Sequence, residues 1–297
     1  MPAAHSIHSA ALTLRRTSWS QLARYAYLGI FILLLVRLAA PEAMAPALRK
    51  LALLLPLGLL AAKDLAHLPD ALQRLRSATG WHGRILALLP PELIGMVRLD
   101  RLMWAGFLQW LRRRAPAAPP QGVALTYLQR GSYGTAIACA MVAVFLELPL
   151  DFAILHLFVD DPDTRLLIHV VGGIGAVYTL AWVLGDRWHV AEGSHVLADD
   201  ALHLRVGVRT QGSIPLSAIE RVERVAEAPD SWRRRHGIHP ADTITVTPFD
   251  KPNCVLVLKP DAGITLLHWQ VRRAAPRHVL LYLDRPELLA GSVKRDE

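Results

Sequence analysis

Apolar residues fall into long blocks in the first part of the chain and alternate with polar ones after about residue 189. Four blocks stand out: Tyr25 to Ala40, Ala45 to Leu68, Gly134 to Phe158 and Leu166 to Gly185. A hydrocarbon core about 30 Å thick takes about 20 apolar residues in a helix. The pattern therefore predicts an α+β membrane protein with a bundle of four transmembrane helices, two within 25–68 and a hairpin over 133–188. The acidic link from Val159 to Arg165 joins the hairpin's legs. Pro56 interrupts the second block, which a spanning helix tolerates when neighbours satisfy the freed carbonyl.

The polar residues between blocks predict topology. Residues 1–24 carry Arg15, Arg16 and Arg24 without an acid and read as a cytoplasmic tail. A signal peptide cleaved near Ala43-Met44-Ala45 is the rival; the long leader and Arg37, placed before that site, argue against it. Residues 69–132 form a basic connection, with Arg74, Arg76, Arg84, Arg98, Arg101 and Arg112-Arg113-Arg114 against Asp70, Glu92 and Asp100. Arginine-rich connections stay on the cytoplasmic side, so both chain ends are expected there, in an inner, plasma-membrane location. Within the connection, Glu92 to Leu111 reads either as a helix lying in the membrane surface or as a soluble helix packed on the cytoplasmic domain. Ala115 to Gly122 reads as a linker. Gly172, Gly173 and Gly175 offer another helix a close approach.

Residues 189–297 change to period two. Strands are expected at Ala201–Val206, Thr243–Thr247, Cys254–Leu258, Ile264–Leu267 and His278–Asp284, and a terminal helix at Pro286–Val293. The product is a small antiparallel β-sheet or barrel with a C-terminal helix. The stretch His195 to Gly207, an acidic turn opening a strand that ends in Arg205-Val206-Gly207, is followed by Ile214-Pro215-Leu216 and Ile219. With the preceding spans this pattern resembles the bacterial PH-like domain of uncharacterised membrane proteins, over about residues 134–293. The resemblance implies a PH-like barrel and carries over no catalytic residues.

Composition narrows the function. The chain of 297 residues is 53% hydrophobic, only 7% aromatic, and carries a net charge of +8. In a membrane protein that charge is first a topology signal; nothing else favours nucleic acid. Cys139 and Cys254 lie in different parts of the chain and imply neither a disulfide framework nor a cysteine metal site. No nucleophile elbow, phosphate loop or dinucleotide fingerprint occurs, so no cofactor, metal or catalytic residue is expected, and a membrane enzyme ranks last.

Two sets of residues remain as candidates. Glu147 and Asp151 lie four apart in the third span, with His156 near its outer end, His169 near the start of the fourth span and Lys63 in the second. Buried carboxylates at such depth are costly unless paired or protonated. They make either a polar site for protons, ions or gating, or internal hydrogen bonds that hold the bundle. The second set, Trp232, Arg233, Arg234 and Arg235, reads as a loop that binds anionic lipid or is merely solvated. The expected function is a multi-pass protein, partnered with the bilayer, that presents its PH-like domain as a binding or scaffolding surface to a protein or anionic lipid. The alternative is an ion- or proton-coupled transporter or sensor using Glu147 and Asp151.

Overall fold

The structure is a computed structural model describing residues 14, 17, 19–39, 41–260 and 262–293. It divides into two compact units, 1–90 and 91–297.

The first unit is helical. Helix α1 (Trp19–Ala39) packs on α2 (Ala45–Ala66), and α3 (Leu68–Ser77) and α4 (Gly80–Leu88) pair with each other. Where α1 meets α2, Gly29 admits the Leu55 side chain.

The second unit opens with α5 (Pro91–Leu111), which leads into strand β1 (Val123–Thr126). The hairpin follows as α6 (Tyr133–Phe158) and α7 (Pro162–Val190). Asp161 starts α7 because its carboxylate accepts the Thr164 amide at 2.9 Å, with Pro162 in the first turn. Both legs turn apolar side chains outward, Phe158 of α6 and Leu166 of α7 being 80% and 63% exposed. A helix apolar on all sides belongs in lipid or a large core, and among the described residues of this unit no such core surrounds these legs.

Among the described residues, three helical segments are long and apolar enough, by length and composition, to cross a membrane: Glu42–Ala66, Tyr133–Phe158 and Pro162–Val190. The sequence predicts four spans; α1 is not among the three. Arg24 and Arg37 bracket its uninterrupted apolar stretch, Tyr25–Val36. Those residues cover about 18 Å as a helix, so a crossing there would need Arg24 and Arg37 to reach the two interfaces.

The sheet-rich part contains β2 (Ser194–Leu197), β3 (Ala201–Val206), β4 (Thr210–Pro215), β5 (Ile219–Arg224), α8 (Pro229–His236), β6 (Thr243–Val246), β7 (Cys254–Leu258), β8 (Thr265–His268), β9 (Val271–Ala274), β10 (His278–Leu281) and α9 (Pro286–Val293). Two open sheets form rather than the expected barrel. One runs β1-β2-β3-β4-β8-β9 and the other β5-β7-β10-β6. The first is antiparallel throughout, while β6 lies parallel to β10 in the second. Closure would need edges that pair; β1, β9, β5 and β6 remain edges.

The core sits between the sheets. Alternation on β3 buries Leu202, Leu204 and Val206, which meet Ile214, Leu256, Leu266, Val279 and Leu281. On β7 every residue is buried, because α8 covers that sheet's other face: Trp232 packs on Val255, Val257 and Leu280. Leu289 of α9 completes the main core.

Candidate functional site

The densest polar arrangement lies where the hairpin meets the sheets. Three elements supply it. Tyr133 begins α6, Asp186 stands in the last turns of α7, and Arg209 lies in the turn between β3 and β4. The Tyr133 hydroxyl donates to Asp186 Oδ2 at 2.9 Å. Arg209 Nη2 donates to the same oxygen at 3.1 Å, and its Nη1 donates to the Pro248 carbonyl at 3.3 Å. Both charged side chains are almost fully buried, 6% and 4% exposed. The guanidinium also faces the Phe249 ring at 5.3 Å, and Phe249 stacks on Tyr133 at 5.8 Å. Among the described residues, Asp186 Oδ1 and Arg209 Nε have no hydrogen-bond partner.

Local sequence explains why these groups converge. Gly185, next to Asp186, lets α5 lie backbone against backbone on α7; a Cβ there would stand 2.0 Å from the Met103 carbonyl oxygen. Gly106 of α5 likewise admits the His189 ring, whose Nε2 lies 2.8 Å from the Leu102 carbonyl oxygen. The close helix approach thus occurs at Gly185 and Gly106. Gly172, Gly173 and Gly175, the expected contact, meet no atom within 4 Å among the described residues. Capping contacts hold the segment before α6: Asp284 accepts the Gln129 and Arg130 amides at 3.0 and 2.8 Å, and Asp250 accepts the Ser132 amide at 2.8 Å.

A pair of buried rings supports the sheet next to this site. His195 Nδ1 accepts the Arg205 amide at 3.1 Å, and Tyr127 donates to the Arg205 carbonyl at 3.0 Å. Burial pushes the His195 imidazole down to about 4 and the Tyr127 hydroxyl well above the usual phenol range.

The residues singled out from the sequence are only partly brought together. His156 and His169 do meet across the hairpin, with ring centroids 6.2 Å apart and the Phe152 ring against both. Glu147 is exposed and Asp151 half-buried, and neither makes a hydrogen bond or ion pair among the described residues. Lys63 belongs to the first unit, where it donates to the carbonyls of Leu14, at 3.1 Å, and Thr17. No group of three or more metal-ligating side chains occurs among the described residues.

Trp232, Arg233, Arg234 and Arg235 lie on helix α8 rather than in a loop. Trp232 is 2% exposed and belongs to the core. Arg233 pairs with Asp230 and Arg235 with Glu227, and Arg234 donates to Ser231 at 3.4 Å. The period-two reading of the domain passed over an eight-residue helix because Pro229, its N-terminal signal, is also a loop residue.

Tyr133, Asp186 and Arg209 escaped the sequence reading. Asp186 was legible only as the polar exit of a span, and Arg209 only as one cation among many. The usable signal was an acid at the end of an apolar block, which requires a cation nearby. Comparison with family models, curated proteins and solved structures found no match.

Proposed function

We propose that this chain is a membrane-anchored binding module, whose sheet-rich domain is PH-like and is held at the cytoplasmic face for a protein or anionic-lipid partner. The observation that supports it most is the buried Tyr133–Asp186–Arg209 arrangement, which ties both legs of the hairpin to the turn between β3 and β4. A domain so fixed has a set orientation relative to the bilayer. Its groups at that junction are already engaged with one another, which suits holding rather than turnover. Topology depends on α1: three crossings leave the chain ends on opposite sides, whereas both ends are cytoplasmic only if α1 also crosses.

A second reading, an ion- or proton-coupled transporter or sensor, draws on Glu147 and Asp151, which lack partners within the hairpin, and on the His156–His169 pair. One comparison separates the two. Partners crosslinked to the full chain in cells are co-purified from wild type, from Glu147→Gln/Asp151→Asn and from a chain lacking residues 194–297. The binding reading expects adducts in the first two and none in the third. Retained adducts in the truncated chain, together with vesicle ion flux that the double substitution abolishes, would overturn it.

A further inference from the structure

The turn between β8 and β9 consists of Trp269 and Gln270, both with positive φ, 52° and 61°. Such two-residue turns favour Asn-Gly or Gly, because only those residues take this conformation without steric conflict. A tryptophan there is poorly suited to the backbone, and its side chain is 49% exposed rather than packed in a core. Strain kept at a surface position points to a contact made by the side chain.

The neighbours of this turn place it beside the membrane. Gly95 of α5 sits directly against it: a Cβ on Gly95 would be 2.6 Å from the Trp269 carbonyl oxygen and 2.8 Å from Val271 Cγ2. Gln270 Nε2 donates to the Val208 carbonyl at 2.5 Å, and Val208 packs with Leu99 and Met103 of α5. Five residues beyond Gly95, Asp100 accepts the Tyr178 hydroxyl. Tyr178 stands twelve residues before the end of α7, about 18 Å inside the helix. The turn is therefore clamped to a helix that reaches well up a membrane-spanning leg.

Next to Gly95 along α5, Met96 and Val97 are 63% and 55% exposed. Arg98 and Arg101 are exposed on α5 and make no ion pair among the described residues, while Arg273 lies 3.7 Å from Glu92. An exposed indole, flanking apolar side chains and unpaired guanidinium groups are the composition of a headgroup-level anchor.

We propose that the Trp269–Gln270 turn and the first turns of α5 form one contact site for an anionic bilayer surface, with the Trp269 indole among the headgroups and Arg98 and Arg101 beside lipid phosphates. The proposal rests on membrane anchoring alone and stands whether or not the domain binds a partner.

The test uses the full chain labelled with 5-fluorotryptophan and reconstituted in nanodiscs. The resonance missing from Trp269→Phe, a substitution that preserves ring and backbone demands, is assigned to Trp269. A headgroup-nitroxide lipid should broaden that resonance, at least twofold more in phosphatidylglycerol-rich discs than in phosphatidylcholine discs. Arg98→Gln/Arg101→Gln should erase the difference between discs. Broadening by a water-soluble relaxation agent but not by the lipid label, as for a surface meant for a soluble protein, overturns the proposal; so does equal broadening in both lipids.

Discussion

At the end of the hairpin next to the sheets, Tyr133, Asp186 and Arg209 are buried and share hydrogen bonds; farther along α6, Glu147 and His156 stand exposed and Asp151 is half-buried. At the first site the fold has enclosed its charges with their partners, and α5 lies against the helix backbone. Toward the other end, among the described residues of this unit, the two helices pack on each other. Charges cost most where water is excluded and partners are missing. The fold therefore depends on the first set, and the second is left to whatever the bilayer or another molecule supplies.

The largest break in this comparison comes from Arg209→Met, which strands Asp186 among apolar neighbours. Removing one partner of a buried ion pair costs about 3–5 kcal/mol. Pairing it with Asp186→Leu should recover most of that loss, since the uncompensated charge goes with its partner. Unfolding of the two variants in detergent, compared with Asp186→Leu alone, gives the coupling between the residues. Equal stability of the single and double variants would mean that the pair is not the fastening.

The second effect is pH-dependent and confined to the sheet side. In the folded chain His195 takes up a proton only near pH 4, because it is buried, whereas the unfolded chain does so near 6.5. Between these values the unfolded state binds more protons, so stability falls as the pH drops from about 6.5 to about 4. The His195 contribution lost below that window is roughly 3 kcal/mol. His268 is shifted the same way by burial and adds to the loss. Denaturant titrations across this range should show the decline, and His195→Phe should flatten part of it. A flat profile in wild type would contradict the burial of both rings.

The legible and illegible parts of the fold divide along similar lines. Ala201–Val206 and Cys254–Leu258 could be bounded from sequence because burial on one face or both leaves a local pattern. Pro286 marked the last helix for a local reason too. The strand Val123–Thr126 could not be read: it has four residues, and among the described residues its partner is β2, about seventy residues later. Tyr133, Asp186 and Arg209 are separated by 53 and 23 residues, so nothing local relates them. The two Trp-Arg stretches show the same limit. Trp232 reads from the sequence as a lipid-contact candidate and is core, whereas Trp269, to which the sequence assigns no role, is exposed. Composition alone does not say which side of a short element faces the sheet beneath it.

A third, smaller effect sets one glycine against another. Gly185→Ala forces α5 off α7, because the new methyl meets backbone rather than a yielding side chain. Overpacking of this kind costs about 1–3 kcal/mol. Gly173→Ala meets open space and should be neutral or stabilising by up to about 1 kcal/mol, alanine being the better helix former. Thermal unfolding of the two variants side by side reads the difference. A cost at Gly173 equal to that at Gly185 would reveal a further helix packed on the outer half of α7.

The smallest effect is expected from Glu147→Gln with Asp151→Asn. Neither carboxylate has a partner in the described fold, so neutralising both removes no contact there. Surface substitutions without such contacts fall within about 0.5 kcal/mol. Any small change should be favourable, since a charge facing lipid is the costlier alternative. The same substitution also asks whether these positions face lipid at all. If another molecule or another part of the chain covers them in the membrane, the amides would lose an ion pair and stability would fall by more than 1 kcal/mol. Unfolding in nanodiscs, where lateral partners are retained at one copy per disc or at two, distinguishes these cases: a loss seen only at two copies places a second chain against Glu147, and a loss at both places the contact within one chain.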